Sequence, residues 1–285
     1  MAASTRTMRG DGVQLSCDVY GAETQPVVLL LHGGGQTRHA WQRAARALQA
    51  SGMCAITADQ RGHGNSEWAA ADEYEIGHFA ADVAALCQGL AAPPVIVGAS
   101  LGGLAALIAV GESEAPLARA LVLVDIAPRI ETAGAQRILE FMNSGAEGLP
   151  DLDTAAQAVA DYLPHRRRPA DPAGLLRNLR QRPDGRWYWH WDPAFLRNRD
   201  LADRSSLSDE HARLAAAARN IRVPTLLVRG DRSDVVSQES VAELRRLLPH
   251  SQVVDVPGAG HMVAGDANDL FNEAVIDFIG SLPVQ

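Results

Sequence analysis

Short runs of apolar residues recur along this chain, and most of them are followed by a stretch with helical spacing. The apolar runs cover residues 27–31, 53–57, 95–97, 121–124, 225–228 and 253–256. Continuous apolar runs of this length are typical of parallel strands buried on both faces. Helical spacing covers residues 41–50, 76–90, 101–110, 237–248 and 268–279. The alternation predicts an α/β fold with a doubly wound, mostly parallel sheet of about eight strands and helices on both faces.

Residues 13–20 show a different pattern, because apolar and polar residues alternate there. Alternation with a period of two leaves one face of a strand polar. We therefore predict a half-exposed edge strand at 13–20, outside the buried part of the sheet.

One interval is far longer than a crossover helix requires. About a hundred residues separate the fourth of these apolar runs from the fifth. The interval contains helix-compatible stretches at 136–142 and 154–163, many arginines and three of the five tryptophans. We predict a mostly helical lid, or cap, at residues 128–220, inserted after the sixth strand. The core domain then consists of residues 1–127 and 221–285.

Composition narrows the class of protein. The chain has 285 residues and a net charge of −8, which argues against nucleic acid as a partner because phosphate binding needs a clustered basic surface. No apolar segment follows the N-terminal arginines and no window is long enough to span a membrane, so we expect a cytoplasmic protein without a membrane partner. Three widely spaced cysteines predict neither a disulfide nor a metal site: they are Cys17, Cys54 and Cys87. No cofactor is expected, and a homodimer is left open.

A serine stands between two glycines in the sequence G-A-S-L-G at residues 98–102, after an apolar run and before a helical stretch. A serine at the tip of a tight strand-to-helix turn needs small residues two positions away on each side, because larger ones would collide with the strand or helix. The helix N-terminus favours negative charge that develops beside the hydroxyl. The pattern predicts that Ser100 is the nucleophile of an acyl transfer.

Two further motifs follow predicted strands. H-G-G-G at 32–35 follows the first buried run, and G-A-G-H at 258–261 follows the last. A hydroxyl nucleophile needs a base within hydrogen-bond reach and a carboxylate that orients the base. The chain order of glycine-rich loop, serine, acid and histidine predicts that His261 is this base.

The motifs resemble those of lidded serine hydrolases of the α/β-hydrolase fold superfamily, a group of esterases, lactonases and meta-cleavage-product hydrolases. The resemblance covers nearly all of the chain except the lid. It rests on L-H-G-G-G at 31–35, D-Q-R-G-H-G-N-S at 59–66, G-A-S-L-G-G at 98–103, G-D-R-S-D at 230–234 and G-A-G-H at 258–261. It implies a Ser-His-Asp triad that hydrolyses a small-molecule substrate.

The resemblance places the triad acid at Asp234, in the turn after the strand at 225–228. Asp231 lies in the same turn and is expected to shape it. Asp125 ends the strand before the lid and points toward the same edge of the sheet, and some relatives carry the acid there. We predict Asp234 as the acid, with Asp125 as the alternative.

An oxyanion hole needs two donors aimed at the carbonyl oxygen on which charge develops. The backbone amides of Leu101 and Gly34 are the predicted pair. Gly33 or Gly35 is able to replace Gly34, and both are further candidates for contact with the substrate.

The motif at 59–66 also contains a histidine and glycines, but we assign it a structural role in a sharp turn. Asp59 and Arg61 are expected to pair with each other or to bind backbone groups.

Basic and aromatic residues are concentrated in the lid. The basic residues are His165, Arg166, Arg167, Arg168, Arg177, Arg180, Arg182 and Arg186. They form a solvated surface, or one of them faces the cleft and binds a substrate carboxylate through two parallel hydrogen bonds. Trp187, Trp189 and Trp191 share one face if extended, and they either pack the lid onto the core or line an apolar pocket.

The leading hypothesis is hydrolysis of a carboxylic ester or lactone of a small, partly apolar substrate through an acyl-enzyme on Ser100. Haloalkane dehalogenases and most epoxide hydrolases of this fold carry an aspartate at this position, so the serine disfavours their chemistry. Carbon–carbon bond hydrolysis of a vinylogous diketone is the alternative enzyme activity, and perhydrolysis is a side reaction of the same site. A non-enzymatic small-molecule receptor on a hydrolase fold is the alternative of another class.

Overall fold

The computed structural model describes residues 3–164, 171–197, 204–266 and 268–283. Within these residues the main-sheet strands and a separate hairpin are, in chain order, β1 (Ser4–Arg9), β2 (Gln14–Tyr20), β3 (Val27–Leu31), β4 (Cys54–Ala58), β5 (Val95–Ala99), β6 (Ala120–Val124), β7 (Leu179–Gln181), β8 (Trp187–Trp189), β9 (Thr225–Gly230) and β10 (Gln252–Val256). The helices are α1 (Gln42–Ala50), α2 (Ile76–Gln88), α3 (Leu101–Glu112), α4 (Thr132–Asn143), α5 (Leu152–Tyr162), α6 (Ala194–Arg197), α7 (Arg204–Asn220), α8 (Gln238–Leu247), α9 (Val263–Asp266) and α10 (Asn268–Gly280). Short 3₁₀ helices cover Arg38–Trp41 and Pro172–Arg177.

The main sheet has eight strands in the order β1-β2-β4-β3-β5-β6-β9-β10. The pairs β1–β2 and β2–β4 are antiparallel, and every other pair is parallel. The predicted doubly wound, mostly parallel sheet is confirmed. Because β3, β4, β5, β6, β9 and β10 run the same way, the loops after β3, β5, β6, β9 and β10 meet at one edge of the sheet.

Both faces of the central strands are buried, as their continuous apolar sequences predict. In β5, Ile96 packs into the apolar cluster that contains α2 and α3, whereas Val95 and Val97 pack into the cluster that contains α1 and α10. Successive side chains of a strand point to opposite faces, so both faces must be covered by helices. The site at the carboxyl edge therefore rests on a core of three layers, with the sheet between two layers of helices.

Both edges of the sheet differ from the sequence-based expectation. The alternating strand β2 lies one position inside the edge, because β1 pairs with it from Ser4 to Arg9. β10 was expected to be buried on both faces, but it is the other edge strand, and of its residues only Val256 is buried. A single neighbouring strand leaves much of β10 in contact with solvent.

The segment between β6 and β9 divides into two parts. Residues from α4 to α6, with the β7–β8 hairpin, add no strand to the main sheet. Helix α7, which the sequence analysis placed in the lid, packs against α3: Leu214 and Ala217 are buried in the same apolar cluster as Leu107 of α3. Arg213 of α7 also donates to Glu112 of α3 at 2.8 Å. Helix α7 therefore packs on α3 as a crossover helix does, and the lid boundary at residue 220 stays a prediction.

Candidate active site

Ser100 lies in the turn between β5 and α3 with φ 45° and ψ −116°, a strained backbone conformation for a residue with a side chain. A Cβ atom on Gly98 would lie 2.5 Å from the Gly102 carbonyl oxygen, and one on Gly102 would lie 2.6 Å from the Leu31 carbonyl oxygen. Both glycines therefore permit the close approach of strand and helix that the sequence predicts for a nucleophile elbow.

Asp125 orients His261. It directly follows β6, has φ 48° and is fully buried, and its Oδ2 lies 2.8 Å from Nδ1 of His261. Among the described residues, Ser100 and Asp125 are the two non-glycine residues with positive φ. The Ser100 amide donates at 3.3 Å to the carbonyl of Val124, the residue before Asp125. The elbow and the acid are therefore joined through the backbone.

Asp234 does not take the place predicted for it. It lies beyond the end of β9, in a turn that carries its side chain outward to Arg137 of α4, with which it forms an ion pair. Its side chain is 31 % exposed, whereas that of Asp125 is inaccessible to solvent. The hydrogen bond to His261 that the sequence analysis assigned to Asp234 is made by Asp125, the alternative considered there. The reason is that Asp125 follows its strand without an intervening turn.

His261 follows β10 and keeps 10 % of its side chain exposed. Its Nδ1 faces a carboxylate, so the neutral imidazole carries its proton on Nδ1 and presents an unprotonated Nε2. Glycine-rich backbone precedes it, as the G-A-G-H motif predicts. A base with this tautomer can accept a proton from a hydroxyl.

The glycine loop after β3 provides one backbone donor that is not engaged by the protein. The Gly33 amide donates to Oε1 of Gln36 at 3.2 Å, and the Gly35 amide donates to Nε2 of His63 at 3.1 Å. Within the described residues, the amides of Gly34 and Leu101 have no acceptor. A Cβ atom on Gly33 would lie 3.3 Å from the Cβ of Ser100, so the loop passes directly beside the nucleophile. Gly34 and Leu101 are thus the two amides that remain available for an oxyanion.

Two buried histidines shape this loop. His32 bonds the Gly33 carbonyl through Nδ1 at 2.8 Å and accepts the Gln60 amide through Nε2 at 3.0 Å. Burial lowers the pKa of His32 to about 4, so the ring is neutral at pH 7. His63 is also buried, and its Nδ1 lies 2.9 Å from the Arg61 carbonyl. These contacts give both histidines a structural role in the loop.

The charged residues of the 59–66 motif are structural, but they do not pair with each other. Asp59 accepts two hydrogen bonds from Arg38, and its Oδ2 also accepts the Asn65 amide at 2.9 Å. Arg61 forms two hydrogen bonds to Asp82, at 2.7 and 2.9 Å. The predicted backbone contact is present, and the predicted Asp59–Arg61 pair is absent because each residue reaches a partner outside the motif.

The lid arginines divide into engaged and unengaged groups. Residues 165–168 of the predicted basic stretch lie outside the described residues. Arg177 donates to Gln42 at 2.9 Å, Arg180 to the Gly64 carbonyl at 3.2 Å, and Arg186 to the Gly148 carbonyl at 2.6 Å. Arg182 instead lies over the ring of Tyr188, 3.9 Å from its centroid. Three of these four arginines therefore attach lid segments to neighbouring backbone or side chains.

A cavity of about 250 Å³ opens in the lid beside the aromatic residues Tyr188, Trp189 and Trp191. Apolar, aromatic and basic side chains line the cavity, among them Met142, Arg182, Tyr188, Trp189, Trp191 and Arg197. Trp189 and Trp191 stack with their ring centroids 5.4 Å apart and their planes 5° apart, as residues on one face would. Trp187 does not line the cavity; its backbone pairs with Leu149 instead.

The same cavity adjoins the glycine loop. A Cβ atom on Gly35 would lie 3.1 Å from Cε of Met142 and 3.3 Å from the Trp191 ring. One on Gly34 would lie 3.6 Å from the Phe195 ring. Met142 and Trp191 therefore form a thin wall between the loop and the lid cavity. Sequence reasoning missed Met142 and Phe195, because apolar residues in a lid carry no signal that distinguishes wall from core.

Neither a metal site nor a membrane span emerges from the part of the chain that the structure describes. It contains no group of three His, Cys, Asp or Glu side chains placed to hold a metal ion. None of its helices is long and apolar enough to cross a bilayer.

Comparison with known proteins places the chain in a family. Residues 26–267 match the family described as alpha/beta hydrolase fold. The chain is 32 % identical to esterase Rv0045c of Mycobacterium tuberculosis over 85 % of this chain and 78 % of that protein. It is 29 % identical to 2-(acetamidomethylene)succinate hydrolase of Mesorhizobium japonicum over 95 % of this chain and 94 % of that protein. A crystal structure of E-2-(acetamidomethylene)succinate hydrolase superposes with a TM-score of 0.84 and 26 % identity, covering 98 % of this chain and 100 % of that chain. The chain belongs to the α/β hydrolase fold family.

Proposed function

We propose that the protein is a serine hydrolase that cleaves a carboxylic ester or lactone through an acyl-enzyme on Ser100. The observation that carries the proposal is the 2.8 Å contact between His261 and the buried Asp125, next to a serine in a strained turn. Burial strengthens this contact because little water competes for the carboxylate. Named relatives that are an esterase and a hydrolase agree with this class of reaction.

In the acylation step, Nε2 of His261 accepts the Ser100 proton while Oγ bonds the substrate carbonyl carbon. The carbonyl π electrons move to oxygen, and the amides of Gly34 and Leu101 donate to the resulting oxyanion. Asp125 accepts the hydrogen bond from Nδ1 and stabilises the imidazolium. The carbonyl then re-forms, the bond to the alkoxy oxygen breaks, and that oxygen takes the proton from His261.

Deacylation repeats these steps with water as the nucleophile. His261 accepts a proton from water as the water oxygen bonds the acyl carbon. The second tetrahedral intermediate uses the same two amides. Ser100 leaves with the proton held by His261, which releases the acid and restores the free enzyme. For a lactone, the alcohol stays attached to the acyl group and a hydroxy acid is released.

The first experiment is covalent labelling with a fluorophosphonate, read by peptide mass spectrometry, beside turnover of p-nitrophenyl esters of increasing acyl length. We expect modification on Ser100 and ester turnover, both lost in Ser100→Ala. Ser113→Ala is the matched control, because Ser113 follows the other end of the same helix. Absence of labelling in a folded protein would contradict the proposal and favour a ligand receptor. Cleavage of a vinylogous diketone with slow ester turnover would favour the carbon–carbon hydrolase.

We infer that the substrate is partly aromatic or apolar and carries a carboxylate, and that this part of it extends from Ser100 past Met142 and Trp191 into the lid cavity. Arg182 and Arg197 line it, and within the described residues neither forms an ion pair with an acidic side chain. Stacked indole rings provide an apolar wall, and a guanidinium can hold a carboxylate with two parallel hydrogen bonds. One relative is named for hydrolysis of a succinate derivative.

Charge preference can be tested with matched esters. We expect p-nitrophenyl hemiglutarate to have a lower KM than p-nitrophenyl valerate in the wild type. The double variant Arg182→Gln/Arg197→Gln should raise KM for the anionic ester by about tenfold, the loss of one charge-assisted contact, and leave the neutral ester unchanged. Arg177→Gln is the control, because Arg177 contacts Gln42 away from the cavity. Equal effects on both esters would contradict the carboxylate site.

A further inference from the structure

Ser233 contacts the same carboxylate oxygen that faces His261. Its Oγ lies 2.5 Å from Oδ2 of Asp125, while Nδ1 of His261 lies 2.8 Å from that oxygen. The other oxygen of Asp125, Oδ1, accepts the Gly230 amide at 3.0 Å. A fully buried carboxylate thus has three donors, and two of them meet at one atom.

The position of the hydroxyl proton follows from the other contacts of Ser233. Its Oγ accepts the amide of Val235 at 3.1 Å and the amide of Val236 at 3.0 Å. A serine hydroxyl has two acceptor lone pairs and one proton. Because two backbone amides occupy the lone pairs, the proton is directed at Asp125. The backbone amide of Ser233 also donates to the Gly230 carbonyl at 3.0 Å, which holds the turn in place.

We propose that Ser233 is a positioning residue that holds Asp125 and sets the basicity of His261. The inference rests on the proposed function, because it assigns Ser233 a part in the same reaction. Ser233 and His261 share the negative charge of one oxygen atom, so a hydrogen bond from Ser233 weakens the attraction between Asp125 and a protonated His261. Removing the hydroxyl should strengthen that attraction and raise the pKa of His261.

The surrounding charges do not duplicate this contact. On the same turn, Asp231 and Arg232 are exposed, and Asp234 pairs with Arg137 of the lid helix α4. On the neighbouring strand β10, Asp255 pairs with Arg229 at 2.9 Å. Within the described residues, Asp125 is therefore the charged side chain in contact with His261.

The test is an NMR titration of His261, assigned by its absence in His261→Gln. We expect Ser233→Ala to raise the pKa of His261 by about half a unit to one unit, the effect of one lost hydrogen bond. Ser233→Thr keeps the hydroxyl and should keep the wild-type pKa. Asp234→Asn, the next residue, should also keep it. The acid limb of the kcat/KM profile should move to higher pH by the same amount in Ser233→Ala.

Two outcomes would overturn the proposal. An unchanged pKa of His261 in Ser233→Ala would limit Ser233 to holding the turn, and an equal shift in Ser233→Thr would attribute the effect to distortion. Melting temperatures identify any loss of the contacts to Val235 and Val236, and Ser233→Cys replaces the alanine variant if that variant does not fold. The titration needs no substrate, so failure of Ser100 labelling and failure of this inference are separate results.

Discussion

The loops after the neighbouring strands β6 and β9 each carry an aspartate, and the two aspartates differ in burial and in hydrogen-bond partners. Asp125 directly follows β6, is inaccessible to solvent and accepts hydrogen bonds from His261, Ser233 and Gly230. Asp234 lies in the turn after β9, keeps 31 % of its side chain exposed and meets Arg137. Although both strands end at the same edge, burial and the number of donors separate a positioned carboxylate from a surface one.

The turn after β9 donates hydrogen bonds to the aspartate of the loop after β6. It provides Ser233 and Gly230 as donors to Asp125, while Asp234 of the same turn reaches the lid helix α4. Placement at the expected strand end is therefore insufficient to identify a triad acid. The direction of the side chain and the number of buried donors decide the assignment.

The sharpest test of this contrast exchanges each carboxylate for an amide. We expect Asp125→Asn to lower kcat by roughly 10³- to 10⁴-fold, because an amide cannot stabilise the imidazolium or hold the required tautomer. Asp234→Asn should change kcat by less than about twofold, since its partner is an exposed arginine. Steady-state kinetics on one p-nitrophenyl ester measures both. The reverse ranking would move the acid to the turn after β9.

Lowering the pH should lower the free energy of unfolding through buried histidines and leave exposed histidines without this effect. Burial lowers the pKa of His32 to about 4, below the ordinary value of 6.5, so the unfolded chain binds this proton first as pH falls. The free energy of unfolding should therefore fall by about 3 kcal/mol between pH 6.5 and 4 through His32. Urea denaturation at several pH values measures this slope.

Substitution assigns the slope to this residue. His32→Gln should be less stable at pH 7 but show a flatter slope, whereas His250→Gln, at an exposed position, should keep the wild-type slope. His190, whose pKa burial also lowers to about 4, adds a slope of the same sign in all three proteins. An unchanged slope in His32→Gln would contradict the assignment.

Two glycine-to-alanine substitutions should perturb the surroundings of Asp125 and of Asp234 separately. A Cβ atom on Gly230 would collide with the carbonyls of Ala259 and Gly260, just before His261. Gly230→Ala should therefore lower kcat by roughly tenfold to a hundredfold through displacement of His261 and of the donor to Asp125. In Gly134→Ala the new methyl meets the Asp234 carbonyl, so we expect lower stability with kcat changed by less than about threefold. Kinetics together with melting temperatures separates the two effects, and equal loss of kcat would contradict the contrast.

The smallest effect is expected at the exposed ion pair. Arg137 keeps 61 % of its side chain exposed, and an exposed pair contributes about 0.5 kcal/mol or less to folding. Arg137→Gln should change the free energy of unfolding by no more than that, and kcat should stay at the wild-type value. A loss of activity would show that the pair with Asp234 positions a group of the active site.

Much of the architecture is predictable from the sequence because strands buried on both faces are continuous runs of apolar residues. The runs at β3, β5 and β6 are continuous and apolar, and the structure buries them on both faces. β1 was missed because its residues, Ser-Thr-Arg-Thr-Met-Arg, are largely polar and only pairing with β2 makes them a strand. Helix α7 was assigned to the lid because its partner, α3, is distant in sequence.

The candidate site was predictable where a motif constrains backbone geometry. The turn at Ser100 and the loop at Gly34 have the glycines that close approach requires, and His261 lies on its predicted loop. The choice between Asp125 and Asp234 depended on the positive φ of Asp125 and on a turn that leads Asp234 outward, and neither is visible in residue type. Ser233 was hidden for the same reason.

Because Asp125 lies at the end of β6, before the lid, the lid segment can be exchanged between members of this family without replacing Asp125. The lid begins just after it, and the turn beyond β9 holds the lid from the other side, through the Glu131 amide and the Val235 carbonyl at 2.9 Å. A chimera that exchanges only residues 128–197 would inherit Ser100, Asp125 and His261 unchanged. New pockets can therefore be sampled by single exchanges of one segment, provided that each donor segment keeps this anchoring hydrogen bond.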